Sequence, residues 1–195
     1  MALPWYTYPA IEYLSQFDFS ERTVFEFGGG YSSLFWSGRA ALVVTVESDP
    51  VWFDRIRRES APNQRTLLRQ ARDAYVAALA EQPDRFDIIA IDGKWRHACA
   101  AAAVGYLREH GMIILDNSDK FPAVADFLRG QGFFEIDFSG FGPVNNYTWT
   151  TSMFVRAPLP LQRGFRPPRP VGGRDVTVGP ADENGGTTTG QDATR

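Results

Sequence analysis

The chain has 195 residues, of which 44% are hydrophobic and 22% charged, a balance that suits a globular protein with one sizeable core. A net charge of -3 and a pI near 5.4 give no electrostatic reason to hold nucleic acid or an anionic membrane. One cysteine, Cys99, excludes an intrachain disulfide and suits a reducing cytoplasm; no apolar run is long enough to span a bilayer, and no signal peptide is expected.

In chain order, the aromatic start "LPWYTYPAIEY" is expected to pack on the domain, or alternatively to fold over a ligand as a lid. "TVFEF" (23–27) reads as a short buried strand and 31–38 as the helix after it. The β-branched run 41–47 is a second strand. Asp49 followed by Pro50 makes a helix start, a cap and then proline at the first helical position. A weaker strand follows at 65–70, and Asp73 is placed to cap a helix over 74–82. "FDIIAID" (86–92) is a strand ending in a carboxylate. Propensity extends the next helix from 95 to 110, with Gly111 as its stop and a strand at 112–117. Ser118 or Asp119 is expected to cap a helix through Pro122 to Gly130, and strands at 133–138 and 148–156 close the domain.

Alternating strands and helices predict an α/β, doubly wound, Rossmann-like sheet with helices on both faces. The last two strands have no helix between them and should be antiparallel. One domain over 1–157 is followed by a Pro/Gly/Thr-rich segment, 158–195, expected to be disordered, with Arg163, Arg166, Arg169 and Arg174 as a solvated patch.

The first strand leads into "EFGGGYSS", a loop that should line a pocket at the carboxyl ends of the strands. Gly28 and Gly30 match two glycines of a dinucleotide fingerprint, but Ser33 stands where the third would be. Glu26, two residues before the first glycine, would oppose a pyrophosphate seated on helix amides. A ligand with a sulfonium and an ammonium has no such quarrel with it. Burial also requires Glu26 to have partners, and the loop itself can supply them. Glu47 ends the second strand, where a carboxylate accepts from both ribose hydroxyls of an adenosine. Gln70 to Asp73, after the third strand, could meet the adenine ring.

These pieces resemble a class I S-adenosylmethionine-dependent methyltransferase. "VFEFGGGYSS", "VVTVESD", "FDIIAIDG" and "GMIILDN" are spaced as the first, second, fourth and fifth strands of that fold, over roughly residues 20–156. The resemblance implies seven strands, the last inserted antiparallel between the fifth and sixth. It implies S-adenosylmethionine as cofactor, held by Glu26, Gly28, Gly30, Ser32, Glu47, Asp73 and Asp92.

Methyl transfer needs positioning above all, with a base or metal where the acceptor must lose a proton. Candidates therefore come from "IDGKWRH" and "LDNSDK". Asp92, His97 and Lys94 are the candidate catalytic groups. Arg96, Asn117, Asn145 and Tyr147 are candidates for the acceptor, a small polar molecule. Asp92, Asp116 and Asn117 resemble the oxygen ligands that catechol- and caffeoyl-CoA-type O-methyltransferases give to magnesium. The metal-free arrangement is favoured, with Asp92 facing the acceptor. Methylation at oxygen is the first reading; a nicotinamide-dependent oxidoreductase and a non-catalytic adenosine-ligand-binding protein are the alternatives. Nucleic acid and membrane are not expected partners, and a homodimer is compatible with the sequence.

Overall fold

The computed structural model describes residues 3–156; the expected tail lies outside the described residues. Its sheet has seven strands in the order β3-β2-β1-β4-β5-β7-β6. They are β1 (Thr23–Phe27), β2 (Leu42–Glu47), β3 (Gln64–Leu68), β4 (Phe86–Ile91), β5 (Leu107–Asp116), β6 (Phe134–Gly140) and β7 (Trp149–Val155). β1 to β5 run parallel, and β7 lies antiparallel between β5 and β6. This is the expected architecture. The strand order reverses between β1 and β4, which opens a crevice beyond their carboxyl ends.

Among the described residues α1 (Tyr8–Leu14) precedes the sheet, and five helices connect strands: α2 (Tyr31–Ser37), α3 (Pro50–Glu59), α4 (Arg72–Ala77), α5 (Arg96–Tyr106) and α6 (Pro122–Gly130). The alternation of side chains along each strand builds two apolar layers. Phe25, Phe27, Val44, Val46, Ile89, Ile91 and Leu115 meet α4, α5 and α6 residues such as Tyr75, Cys99 and Leu128. On the other face Val24, Val43, Ile88, Ala90 and Ile114 meet Ala10 and Leu14 of α1 and Trp36 of α2. Cys99 is buried in the first layer, and burial pushes its thiol above its usual range, as an inert core residue requires.

Local chemistry explains several boundaries. Asp49 caps α3, its Oδ1 accepting from the amides of Val51 and Trp52 at 2.8 and 2.9 Å, as expected. Two expected caps are corrected. Asp73 lies in the first turn of α4, whose cap position is Ala71, and α6 starts after Phe121 with no side-chain cap. Asp119 instead accepts from the Thr150 amide at 2.9 Å and so ties the β5 exit to β7.

The largest correction is at β5. The helix ends at Tyr106, and residues from Leu107 onward pair with β4 across a bulge between Phe86 and Ile88. Gly111 does not stop the helix; a Cβ there would sit 2.8 Å from the Asp87 carbonyl oxygen, so glycine lets the two strands approach. The N-terminal segment packs on the sheet with Tyr6, Ala10 and Leu14 buried. Trp5 also reaches the glycine loop region, its ring 5.8 Å from that of Tyr31 and 5.7 Å from that of Trp52.

Candidate functional site

Gly28 has a φ of +86°, and a Cβ on it would stand 2.5 Å from Gly93 Cα. Glycine is required on both counts. The exits of β1 and β4 therefore touch at the point where strand order reverses. Beyond it the loop is held from two sides by carboxylates. Glu47 accepts from the Gly29 amide at 3.0 Å through Oε2, and from the Ser48 and Asp49 amides at 2.6 and 2.8 Å through Oε1. Glu26 is fully buried; its Oε2 accepts from the hydroxyls of Ser33 and of Thr45, the latter at 3.1 Å. Ser33 Oγ in turn accepts from the Gly30 amide at 3.0 Å. The serine at the place of a third fingerprint glycine thus joins the loop to the carboxylate.

Glu26 Oε1 has no hydrogen-bond partner and no contact with solvent. Burial raises the Glu26 carboxyl to about 7, opposed by the hydroxyls of Ser32, Ser33 and Thr45, with the charge of Glu47 adding to the rise. Ser32 is itself buried, next to Glu26 in this cluster. Two more raised carboxyls lie close by. Asp92 is pushed up to about 6 by burial, against the pull of Arg96. Asp116 is pushed up to about 8 by burial and by Asp92, although Trp149 Nε1, at 3.1 Å, and the Thr151 hydroxyl donate to its Oδ1. Tyr6 lies among all three. Burial and the charges of Glu26, Asp92 and Asp116 raise its phenol well above the ordinary value, and its oxygen accepts from Trp36 Nε1 at 3.2 Å. Carboxyls raised together in a crevice mark a candidate active site.

Trp95 has left-handed φ and ψ of 53° and 39°, which turns the first residue of α5, Arg96, back onto the strand ends. Arg96 Nε donates to the Gly93 carbonyl at 3.0 Å; its Nη2 donates to the Asp92 carbonyl and Oδ1 at 2.9 and 3.1 Å. Its Nη1 donates to the Asp116 carbonyl, and both Nη atoms reach Asn117 Oδ1 at 3.2 Å. Asn117 adopts a φ of 54° to present that oxygen. Arg96, a candidate for an acidic substrate, thus has protein acceptors around its whole guanidinium. The oxygens of Asp92 and Asn117 that a magnesium ion would need face the same guanidinium, so this set does not fit a bound metal. Among the described residues, no group of three or more His, Cys, Asp or Glu side chains is placed for one either.

No contact joins the remaining candidates to this cluster of carboxyls among the interactions described. His97 is exposed on α5, its ring 5.1 Å from Phe127 of α6, and Lys94 is exposed in the turn before it. Asp73 is exposed at the start of α4. Asn145 and Tyr147 belong to the loop between β6 and β7, with Lys120 Nζ 5.1 Å from the Tyr147 ring centre. A separate cleft of about 440 Å³ opens at the opposite ends of the strands, lined by Phe17, Asp87, His110 and Met112 among others; it does not touch the glycine loop. Tyr6 and Thr45 escaped sequence reasoning. Nothing in a sequence brings Tyr6 to residues more than eighty positions away, and Thr45 read only as a β-branched strand residue.

The sequence matches no established family profile and no curated protein. Solved structures match across most of the chain. An O-methyltransferase, TomG from Streptomyces achromogenes, involved in tomaymycin synthesis and solved with S-adenosylmethionine, is similar with a TM-score of 0.58 at 15% identity, covering 70% of this chain and 74% of that one. A putative methyltransferase from Streptococcus mutans, in complex with S-adenosylhomocysteine, has a TM-score of 0.56 at 11% identity, covering 74% and 94%. An rRNA methylase from Streptococcus thermophilus has a TM-score of 0.57 at 12% identity, covering 74% and 92%. The chain has the class I S-adenosylmethionine-dependent methyltransferase fold. At these identities the likeness is one of fold, and it spans an O-methyltransferase and an rRNA methylase alike.

Proposed function

We propose that this protein is an S-adenosylmethionine-dependent methyltransferase that acts on a small polar acceptor at oxygen. The observation that carries the reading is Glu26: a fully buried carboxylate beside a glycine loop, with one oxygen lacking any partner. A cationic ligand at the loop would offset the charge of that carboxylate, whereas a pyrophosphate at the same loop would meet repulsion. Glu47 Oε2, with one amide on it, keeps a lone pair for a ribose hydroxyl. Ser32, Gly28 and Gly30 shape the methionine side, and Asp73 stands at the adenine side.

The cofactor supplies the methyl group on a sulfonium. The chain's part is to orient the acceptor and to take its proton. Asp92 is the proposed base: one oxygen is fixed by Arg96, and its side chain keeps 22% exposure. A carboxyl near 6 is ionised at neutral pH yet basic enough to share a proton. Lys94, Asn117, Asn145 and Tyr147 are proposed to face the acceptor, and His97 to lie at the rim. The acidic balance of the chain supports a small molecule over nucleic acid, and its single cysteine supports a reducing, cytoplasmic setting.

Incubation with methyl-labelled S-adenosylmethionine and pooled small hydroxylated acids and sugars, against bulk RNA, tests this. Label in the small-molecule fraction, lost in Asp92→Asn, is expected. Label in RNA alone would overturn the acceptor class. Binding without transfer would favour a non-catalytic role.

A further inference from the structure

The cleft at the amino ends of the strands lies beside the point where the chain leaves the sheet. β7 runs against β5, and its last residue, Val155, pairs with Met112, which lines the cleft. The cleft measures about 440 Å³, within the range of about 300–1,000 Å³ in which pockets bury a ligand. Its wall is aromatic. The Tyr13 and Phe17 rings are 5.0 Å apart and those of Phe17 and Phe19 6.2 Å, and Phe17 is 48% exposed. Its charge is mainly acidic, with Asp18, Asp87 and Glu109 against Arg22 and His110. Asp87 is engaged by Arg22 at 3.4 Å and by Arg108 at 3.0 Å. Asp18 and Glu109 are exposed and form no ion pair among the described residues.

Residues 157–174 lie outside the described residues, and their composition complements this surface. They hold four arginines, five prolines and Phe165, with no Asp or Glu. Arg163, Arg166 and Arg169 recur at every third position. In a polyproline II helix, with three residues per turn, that spacing aligns them along one edge, and "RPPRP" (166–170) carries the prolines that favour such a helix. Aromatic-lined grooves take segments of this kind, with prolines against the rings and arginines on carboxylates. Reach is sufficient: from Val155 to Arg163 an extended chain covers up to about 26 Å, while β7 and β1 stand three strand spacings apart, about 14 Å.

We propose that this cleft is a dock for the chain's own segment 163–170, with Tyr13 and Phe17 under the prolines and Asp18 and Glu109 pairing with the arginines. Composition alone assigns these arginines to solvent; the cleft supplies a counterpart that composition does not show. The pairing of Val155 with Met112 keeps the segment at high effective concentration, which favours its own cleft over that of a second copy. The inference does not depend on methyl transfer or on the cofactor.

The test is paramagnetic relaxation in nuclear magnetic resonance of the full chain, with a nitroxide on Val171→Cys; Cys99 is buried and takes no label. Broadening is expected at the Asp18 and His110 amides and not at the Gly30 amide, at the other ends of the strands. Arg163→Glu/Arg166→Glu/Arg169→Glu should lose most of the broadening at Asp18. Phe17→Ala and Asp18→Lys/Glu109→Lys, at exposed positions that leave the core intact, should each do the same. Combining the two charge reversals should restore it. No broadening at Asp18, or broadening that the triple reversal leaves unchanged, would overturn the proposal. Broadening carried wholly between copies, seen on mixing spin-labelled with isotope-labelled chains, would place the segment on a partner and overturn it too.

Discussion

Ser33 Oγ bridges the Gly30 amide and Glu26 Oε2, accepting from the first at 3.0 Å and donating to the second. One hydroxyl thus orders the glycine loop and holds the buried carboxylate. Ser33→Ala should leave both groups short of a partner and cost about 1–3 kcal/mol, measured by denaturant unfolding. Ser33→Gly, which completes the dinucleotide fingerprint in letters, should cost as much and create no affinity for NADH.

Stability should fall with rising pH in the ligand-free protein. The folded Glu26 carboxyl titrates at about 7 against an ordinary 4.5, because burial disfavours its charge. Between those values the folded state keeps a proton that the unfolded chain has released, so unfolding becomes easier as pH rises through the window. The Glu26 contribution alone amounts to about 3 kcal/mol, and Asp116, raised to about 8, extends the loss to higher pH. Unfolding free energies from about pH 4 to about pH 8 measure it. Glu26→Gln should remove only the Glu26 share of that loss, about 3 kcal/mol, because Asp92 and Asp116 are raised in the same direction, while a wild type that gains stability across the window would contradict the raised carboxyls.

The glycines of the loop should not be equivalent. Gly28→Ala forces a Cβ to 2.5 Å from the Gly93 backbone at a φ of +86° and should cost more than about 2 kcal/mol. At Gly30 the nearest atom to a Cβ is Trp52 Nε1 at 3.6 Å, ordinary contact. Gly30→Ala should keep the fold and weaken the ligand. Paired thermal melts with and without S-adenosylhomocysteine separate the two effects.

Some of this was legible in residues alone. The β-branched and apolar runs of β1, β2 and β4 announce themselves because buried parallel strands are apolar on both faces. The Glu26, Gly28 and Glu47 placements follow from their position at strand exits. Leu107 to His110 read as helix because nothing local says that Leu107 pairs with Phe86. Arg96 read as a group for the acceptor because its direction depends on one left-handed residue, Trp95. Tyr6 needed the whole fold, since α1 is brought to the strand ends only by packing on the sheet.

The loop of Gly28 to Gly30 is proposed to seat a cofactor whose ammonium is attracted by the charge of Glu26. Isothermal titration of the wild type, Glu26→Gln and Glu47→Gln with S-adenosylhomocysteine, and of the wild type with NADH, tests it most directly. The account predicts one saturable S-adenosylhomocysteine site with affinity that rises through about pH 7 as Glu26 ionises, a loss of about tenfold or more in each variant, and no NADH site. Unchanged S-adenosylhomocysteine affinity in both variants, or tight binding of NADH, would contradict it.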